Sequence, residues 1–380
     1  MMNNKFILFV NDHCNSLGMV RSLGEIGINP IVILVAINPY LVNKSKYVTC
    51  IHTVTTKEEG LSVLLNKYGN ELQKPFILTG SDSIESLLDC HYDELKDKFY
   101  FFNGGKQGQI THFMNKDIIN QLAVECGFSV LKTEVVDRGI LPKFLRYPVI
   151  TKSIMSIVGG WKNDVFICKD EQELLQAYEK IKSPIVLVQE YILKKNELCI
   201  DGFSINGGQE IFIPFQTTYI RFSSKSYGNY MKLQIFDNPS LIEKLRLIIK
   251  KTGFSGLFEV EFLIDENDCL FFLEVNFRNS AWGYISTYGG ANLPYLWAES
   301  TLLNKIDISN LKLRASFTAM SEIGDFVCSV VHADVSLWKW IKDVRTCNCL
   351  LFFNSQDKKP FFSMILNIVK LQFLRFIKSR

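Results

Sequence analysis

The chain has 380 residues, room for two or three domains, and a formal charge of +3, too near neutral to argue for a nucleic-acid partner. Its ten cysteines are scattered, only Cys347 and Cys349 lying close together, and its five histidines are equally dispersed. That excludes a disulfide framework, a zinc ribbon and a histidine-based metal site, and it suits a reducing cytoplasm. No leader pattern opens the chain, and the apolar run 31–37 is too short to span a bilayer, so neither a signal peptide nor a membrane span is expected.

In the first hundred residues apolar runs alternate with helical patterns. Residues 5–10 (KFILFV) read as a buried strand and 16–27 as a helix ending at Gly27. Residues 30–36 and 75–80 (PFILTG) are further strands, the latter followed by a helix over 82–88. Such alternation predicts a parallel sheet covered on both faces. The turn NDHCNSLG after the first strand could seat a ligand at the carboxyl end of that sheet, but it lacks the G-x-G-x-x-G of a dinucleotide site. Asn115 is placed to cap an amphipathic helix that stops before Gly127. A strand ending at Lys152 follows, then a loop carrying Gly159 and Gly160, a short strand, and a helix over 170–180. Strands over 184–192, 196–205 and 210–219 precede a strongly periodic helix over 238–253 that Gly253 stops. A hairpin over 256–284 comes next, then a helix over 289–303. Residues beyond about 306 carry no clear pattern until the end of the chain, and there is no internal repeat.

The hairpin GLFEVEFLIDENDCLFFLEVNFRNSAWGY poses a chemical question, because glutamates and an asparagine sit inside runs that otherwise want burial. Strand side chains alternate faces, so Glu259 and Glu261 share one face of the first run, and Glu274, Asn276 and Arg278 one face of the second. Phe272 falls on the Glu274 face by the same count. Pairing about the turn DEND sets Glu259 opposite Glu274, with Glu261 diagonal to Glu274 and all within cross-strand reach. Carboxylates about 4 Å apart repel by roughly 1 kcal/mol in water and about 4 kcal/mol near a protein surface. A cation relieves that, and oxygen ligands of this kind suit Mg²⁺. The plainer reading is a solvent-facing acidic face on a one-sided sheet. Against it stand the two upstream lysines and the Gly-Gly loop, which alone would be an edge charge and a turn.

In order and spacing these pieces resemble the ATP-grasp superfamily over roughly residues 1–300. The last metal strand of that family reads E-x-N-x-R, here EVNFR, after a strand ending in an acidic-Phe pair, here VEF. The resemblance implies an α/β protein of α+β ATP-grasp type. Residues 1–110 would form a Rossmann-like parallel domain, and 111–305 the two-lobed ATP-grasp fold with a lid over about 147–195. Residues 306–380 would form a carboxyl-terminal extension. It implies ATP and Mg²⁺ (or Mn²⁺) as cofactors. Glu261, Glu274 and Asn276 would be metal ligands, Glu274 bridging two ions, with Glu259 the alternative to Glu261. Lys116 and Lys152 would contact ATP phosphates beneath a glycine loop holding Gly159 and Gly160. Glu190, Tyr191 and Ile192 would offer main-chain groups to adenine, Glu197 would hold the ribose, and Arg278 would meet the transferred phosphate.

What the resemblance implies chemically is a carboxylate–amine ligase forming an amide through an acyl phosphate, with release of ADP and phosphate. A small-molecule kinase or a non-catalytic nucleotide-binding protein on the same scaffold are the alternatives. The stretch NFRNSAWGYISTYGGANLPYLWAES is most similar to the branch that includes D-aspartate ligases of bacterial cell walls. The candidate substrates are accordingly an amino acid and a cell-envelope precursor, held near Asp82, Ser83, Arg221, Asn279 and Ser280. At the end of the chain, a helix from Phe361 gathers Phe362, Ile365, Leu366, Val369, Phe373, Phe376 and Ile377 on one apolar face. Lysines and arginines surround it. Such a helix either packs on the protein's own core or rests peripherally on an anionic membrane.

Overall fold

The computed structural model describes residues 3–155, 161–221, 228–332 and 334–378. Strand β1 (Phe6–Asn11) is buried along nearly its whole length and leads into helix α1 (Cys14–Gly24). Strands β2 (Ile31–Val35) and β3 (Cys50–Val54), helix α2 (Lys57–Tyr68), strand β4 (Phe76–Leu78) and helix α3 (Asp82–Cys90) complete the first layer system. The four strands are parallel in the order β3-β2-β1-β4. A strand apolar on both faces must be covered on both, which is why β1 sits inside this sheet. The order reverses between β1 and β4, so the loops after these two strands diverge and leave a crevice at the carboxyl edge. The polar side chains of the first loop are spent on the fold. The Asp12 carboxylate accepts from the amides of Tyr40, Leu41 and Val42, and the Asn15 amide donates to the Gly80 carbonyl.

Short helices α4 (Tyr92–Leu95) and α5 (Gln109–Phe113) lead to α6 (Lys116–Glu125). Asn115 caps α6 as the sequence predicts, accepting from the amides of Asp117 and Ile118. Strands β5 (Thr133–Asp137), β6 (Val149–Ser153) and β7 (Ile167–Cys168), helix α7 (Glu171–Lys180) and strand β8 (Ile185–Glu190) form a small antiparallel lobe, ordered β5-β8-β6-β7. Its own core holds Val149, Leu174, Val186 and Val188.

The largest sheet begins with β9 (Lys194–Ile205), β10 (Glu210–Arg221) and β11 (Tyr230–Ile235). Helix α8 (Pro239–Thr252) ends at Gly253 in the left-handed region (φ +71°), where a side chain would be strained. Strands β12 (Gly256–Asp265) and β13 (Leu270–Asn276) and helices α9 (Gly283–Tyr288) and α10 (Leu293–Leu303) follow. The sheet does not stop at residue 305. Strand β14 (Ser316–Met320), helices α11 (Glu322–Asp325) and α12 (Leu337–Thr346), and strand β15 (Cys349–Leu350) continue it, giving seven strands ordered β13-β12-β9-β10-β11-β14-β15. The expected extension is thus built into the main sheet, through strands that pair with β11 and with each other. Helix α13 (Lys359–Lys378) closes the described chain. Among the described residues no helix is long and apolar enough to cross a membrane.

Candidate active site

The hairpin turn and one irregularity decide where the acidic residues meet. Beside the turn, Ile264 pairs with Leu270, Leu263 with Phe271, and Phe262 with Phe272. Continued unbroken, that register would set Val260 opposite Glu274 and put the two glutamate sets on opposite faces. A bulge at Leu273 shifts the pairing by one residue. Glu261 then lies opposite Glu274, Val260 opposite Val275, and Glu259 opposite Asn276. The expected pairing of Glu259 with Glu274 is therefore wrong by two residues, a slip that preserves the shared face. The bulge also turns Phe272 away from that face. It is buried against Phe128 and Phe262.

Glu261 and Glu274 meet cations from neighbouring elements. Lys116, the first residue of α6, places its Nζ 2.7 Å from Glu274 Oε2. Its own amide donates to the Ile154 carbonyl, which ties the start of α6 to the end of β6. Lys152, on β6, donates to Gln189 Oε1 on β8 at 2.9 Å, and Gln189 Nε2 donates in turn to Thr133 Oγ1 at 3.1 Å. Arg278 bridges to the amino-terminal domain. Its Nε donates to Asp82 Oδ1 at 2.7 Å and its Nη2 to Asn276 Oδ1 at 3.1 Å, with Glu259 Oε2 3.8 Å from Nη1. Asp82 starts α3 at the crevice between β1 and β4, so the acidic hairpin opens onto the edge where an α/β sheet binds ligands.

Burial and like charge raise Glu261 to about 8, Glu274 and Glu197 being the repelling neighbours. Lys116 holds Glu274 down at about 2 against its own burial. Burial, then Glu261, push Glu259 well above the ordinary carboxylate range. Burial and the nearby Lys116 bring Lys152 down to about 8. The centre therefore holds more carboxylate than its cations neutralise, the condition under which a bound cation is favoured. Among the described residues no three His, Cys, Asp or Glu side chains form a metal cage by themselves. Asn276 Nδ2 donates to Glu259 Oε2 at 3.2 Å and Glu261 Oε1 at 3.0 Å. Its oxygen faces Arg278, so turning that amide would present an oxygen on the acidic side.

Glu190 and Tyr191 stand at the end of β8. Their amides donate to the carbonyls of Lys132 and Pro148, which leaves the Ile192 amide as the one of the three outside this backbone pairing among the described residues. Glu197 pairs with Lys194 at the start of β9 and lies within electrostatic reach of Glu261 and Lys152. Gly159 and Gly160 lie outside the described residues. Of the residues expected near a substrate, Asp82 enters the cluster through Arg278, whose Nη1 also donates to the Asn279 carbonyl at 3.2 Å. Asn279 and Ser280 are buried in the turn before α9, where Ser280 Oγ accepts from the Trp282 amide at 3.1 Å. The Ser83 hydroxyl lies 3.1 Å from that of Ser81. Arg221 is bound by Asp325 and by Asp343 at 2.7 Å, two acids from the stretch whose pattern was unreadable. It is engaged in holding α11 and α12.

Two polar residues were missed. Gln189 ends the apolar run Ile185–Val188 of β8, and its amide there was the visible signal for a partner of Lys152. Asp201 on β9 lies opposite Glu259, and burial raises it to about 6 against the pull of Ser280 and Arg278. A cavity of about 20 Å³ is bounded by Asp82, Lys116, Glu274 and Asn276. A larger cleft of about 250 Å³ lies elsewhere, between Lys74, Tyr100, Asn206 and Trp297. It lacks the opposed carboxylates and shared cations, so the chemistry belongs to the smaller one.

The fold is of the ATP-grasp type, and the family match falls on the stretch that carries the acidic hairpin. Residues 182–322 match the family described as "ATP-grasp in the biosynthetic pathway with Ter operon". N5-carboxyaminoimidazole ribonucleotide synthase of Staphylococcus aureus (strain COL) is 27% identical over 158 residues, which are 42% of this chain and 41% of that protein. The match thus spans well under half of its length. Among solved structures, N5-carboxyaminoimidazole synthetase from Staphylococcus aureus complexed with ADP superposes with a TM-score of 0.67 at 16% identity, covering 88% of this chain and 86% of the other. L-amino acid ligase from Bacillus licheniformis gives 0.65 at 12% identity, covering 84% and 80%.

Proposed function

We propose that this chain is an ATP-dependent carboxylate–amine ligase. The observation that carries the reading is the opposition of Glu261 and Glu274 across the bulged hairpin, ringed by Lys116, Lys152 and Arg278. Magnesium fits that donor set, because Glu261, Glu274 and the oxygen of a turned Asn276 leave positions for water and phosphate oxygens. When bound, it would neutralise phosphate charge and orient the γ-phosphoryl group.

In this reading Lys152, oriented by Gln189, and Lys116 hold the ATP phosphates. The Ile192 amide and Glu197 serve adenine and ribose. Arg278 faces the transferred phosphoryl as a substrate carboxylate attacks it. An amine then displaces phosphate from the acyl phosphate, giving an amide, ADP and phosphate. No side-chain nucleophile is required, since alignment and charge neutralisation supply the rate. The substrate side is the crevice at Asp82, and an amino acid is the proposed carboxylate or amine, as the printed name of the L-amino acid ligase neighbour suggests. The D-aspartate-like branch and a cell-envelope acceptor are the finer proposals. Ten free cysteines support a cytoplasmic setting.

Phosphate release from ATP, screened over amino acids paired with candidate amines, tests the reading. Turnover should need Mg²⁺, a carboxylate and an amine together. Glu274→Gln should lower kcat by about 10²–10³ with an unchanged circular dichroism spectrum. Turnover with a hydroxyl substrate and no amine would mark a kinase, and wild-type turnover by Glu274→Gln would refute the metal assignment.

A further inference from the structure

Helix α13 was expected either to bury its wide apolar face on the core or to offer it to a membrane. The structure divides that face. Met364 is buried, and Phe361 and Ile368 pack beside it against the main core, with Phe361 also 5.4 Å from the Phe353 ring. These positions define the docked side of the helix. On the side turned away, Phe362, Leu366 and Val369 are 55%, 71% and 61% exposed. Their spacing of four and three residues places them in one line along the helix. An apolar stripe on a helix already anchored by its other side has nothing left to gain from its own core.

Charge indicates what covers it. From Lys358 to Arg380 the sequence holds six basic residues and no acidic one. Lys358 and Lys359 precede and begin the helix, Lys370 follows Val369 directly, and all three are exposed. A second copy of this chain would bring the same basic segment to the contact. An anionic lipid surface accepts both features, the stripe among acyl chains and the lysines among headgroups, with their stems lying along the apolar band.

We propose that α13 is a membrane-surface anchor, docking its Phe362–Leu366–Val369 stripe on anionic phospholipid. The proposal is independent of the ligase reading.

Flotation of the full chain with vesicles of mixed phosphatidylglycerol and phosphatidylcholine tests it. The chain should float with these and bind pure phosphatidylcholine vesicles about a hundredfold more weakly, the effect expected of three lysines near a surface. Leu366→Glu with Val369→Glu should stay at the bottom of the gradient while melting like the parent, because both positions are exposed. Lys359→Glu with Lys370→Glu gives a second, charge-based loss. A parent chain that does not float on anionic vesicles overturns the proposal, as does a double glutamate variant that floats as well as the parent. A non-floating dimer that the glutamates dissociate would assign the stripe to a second copy instead.

Discussion

Glu85 shows how one side chain can set a pH dependence. It is fully buried in α3, and among the described residues neither carboxylate oxygen has a hydrogen-bond partner. Burial, then Asp89 and Asp82, push its pKa well above the ordinary value of 4.5. The folded state therefore keeps a proton that the unfolded chain releases above about pH 4.5. Its contribution to stability is complete below that pH and is lost as pH rises through the folded value. Glu85→Gln removes the titration and retains the shape. The variant should melt above the parent at pH 8, and the gap should close at pH 4. Parallel melting curves from pH 4 to 8 would rule the account out. The site shows the same division at this scale. The chemical type of Glu261, Glu274, Lys116 and Arg278 was visible in the sequence, whereas Asp201 as a neighbour of Glu259 was not, because only the pairing of β9 with β12 brings them together.

At the scale of an element, caps and bulges turn local sequence into site geometry. Asn115 ends an extended segment and starts α6, so the next residue, Lys116, leaves the helix start aimed at Glu274. Asn115→Ala should cost about 1 kcal/mol of stability. On the proposed function it should also raise KM for ATP several-fold with kcat less affected, because the loosened first turn no longer fixes Lys116. Asn115→Asp keeps an acceptor at the cap and should restore both values. A loss of stability with unchanged KM would make the cap structural alone. The capped start of α6 and the glycine stop of α8 were legible, since both rest on the conformational preference of one residue. The bulge at Leu273 was not. Nothing in LFFLEVN marks which residue will be unpaired, and the choice is made by burying Phe272 against Phe128 and Phe262 while keeping Glu274 opposite Glu261.

Across the whole molecule, the chain's last segment clasps its first domain. Arg21 on α1 is fully buried, and its Nε donates to Asp357 Oδ2 at 3.1 Å. Its other nitrogens donate to the carbonyls of Leu351, Phe352 and Asp357. Asp357 also accepts from the Ser45 hydroxyl at 2.8 Å and the Lys46 amide at 2.9 Å. Removing one partner of a buried pair leaves the other charge uncompensated, which costs roughly 3–5 kcal/mol. Asp357→Ala should therefore lower the denaturant midpoint by that equivalent, far more than loss of an exposed pair such as Lys195 with Asp268. A change under about 1 kcal/mol would mean the clasp contributes little.

By itself the sequence determined the parallel amino-terminal sheet, the helix stops and the acidic hairpin, because apolar period, glycine conformation and side-chain chemistry act over a few residues. Only the tertiary structure decided which carboxylates face each other, which arginine joins the site and where the carboxyl-terminal strands join. Those outcomes depend on pairings between residues far apart in the chain. Arg278 and Arg221 look alike as strand-end arginines. Asp82 draws the first into the site, and Asp325 and Asp343 bind the second to α11 and α12, more than a hundred residues further along the chain.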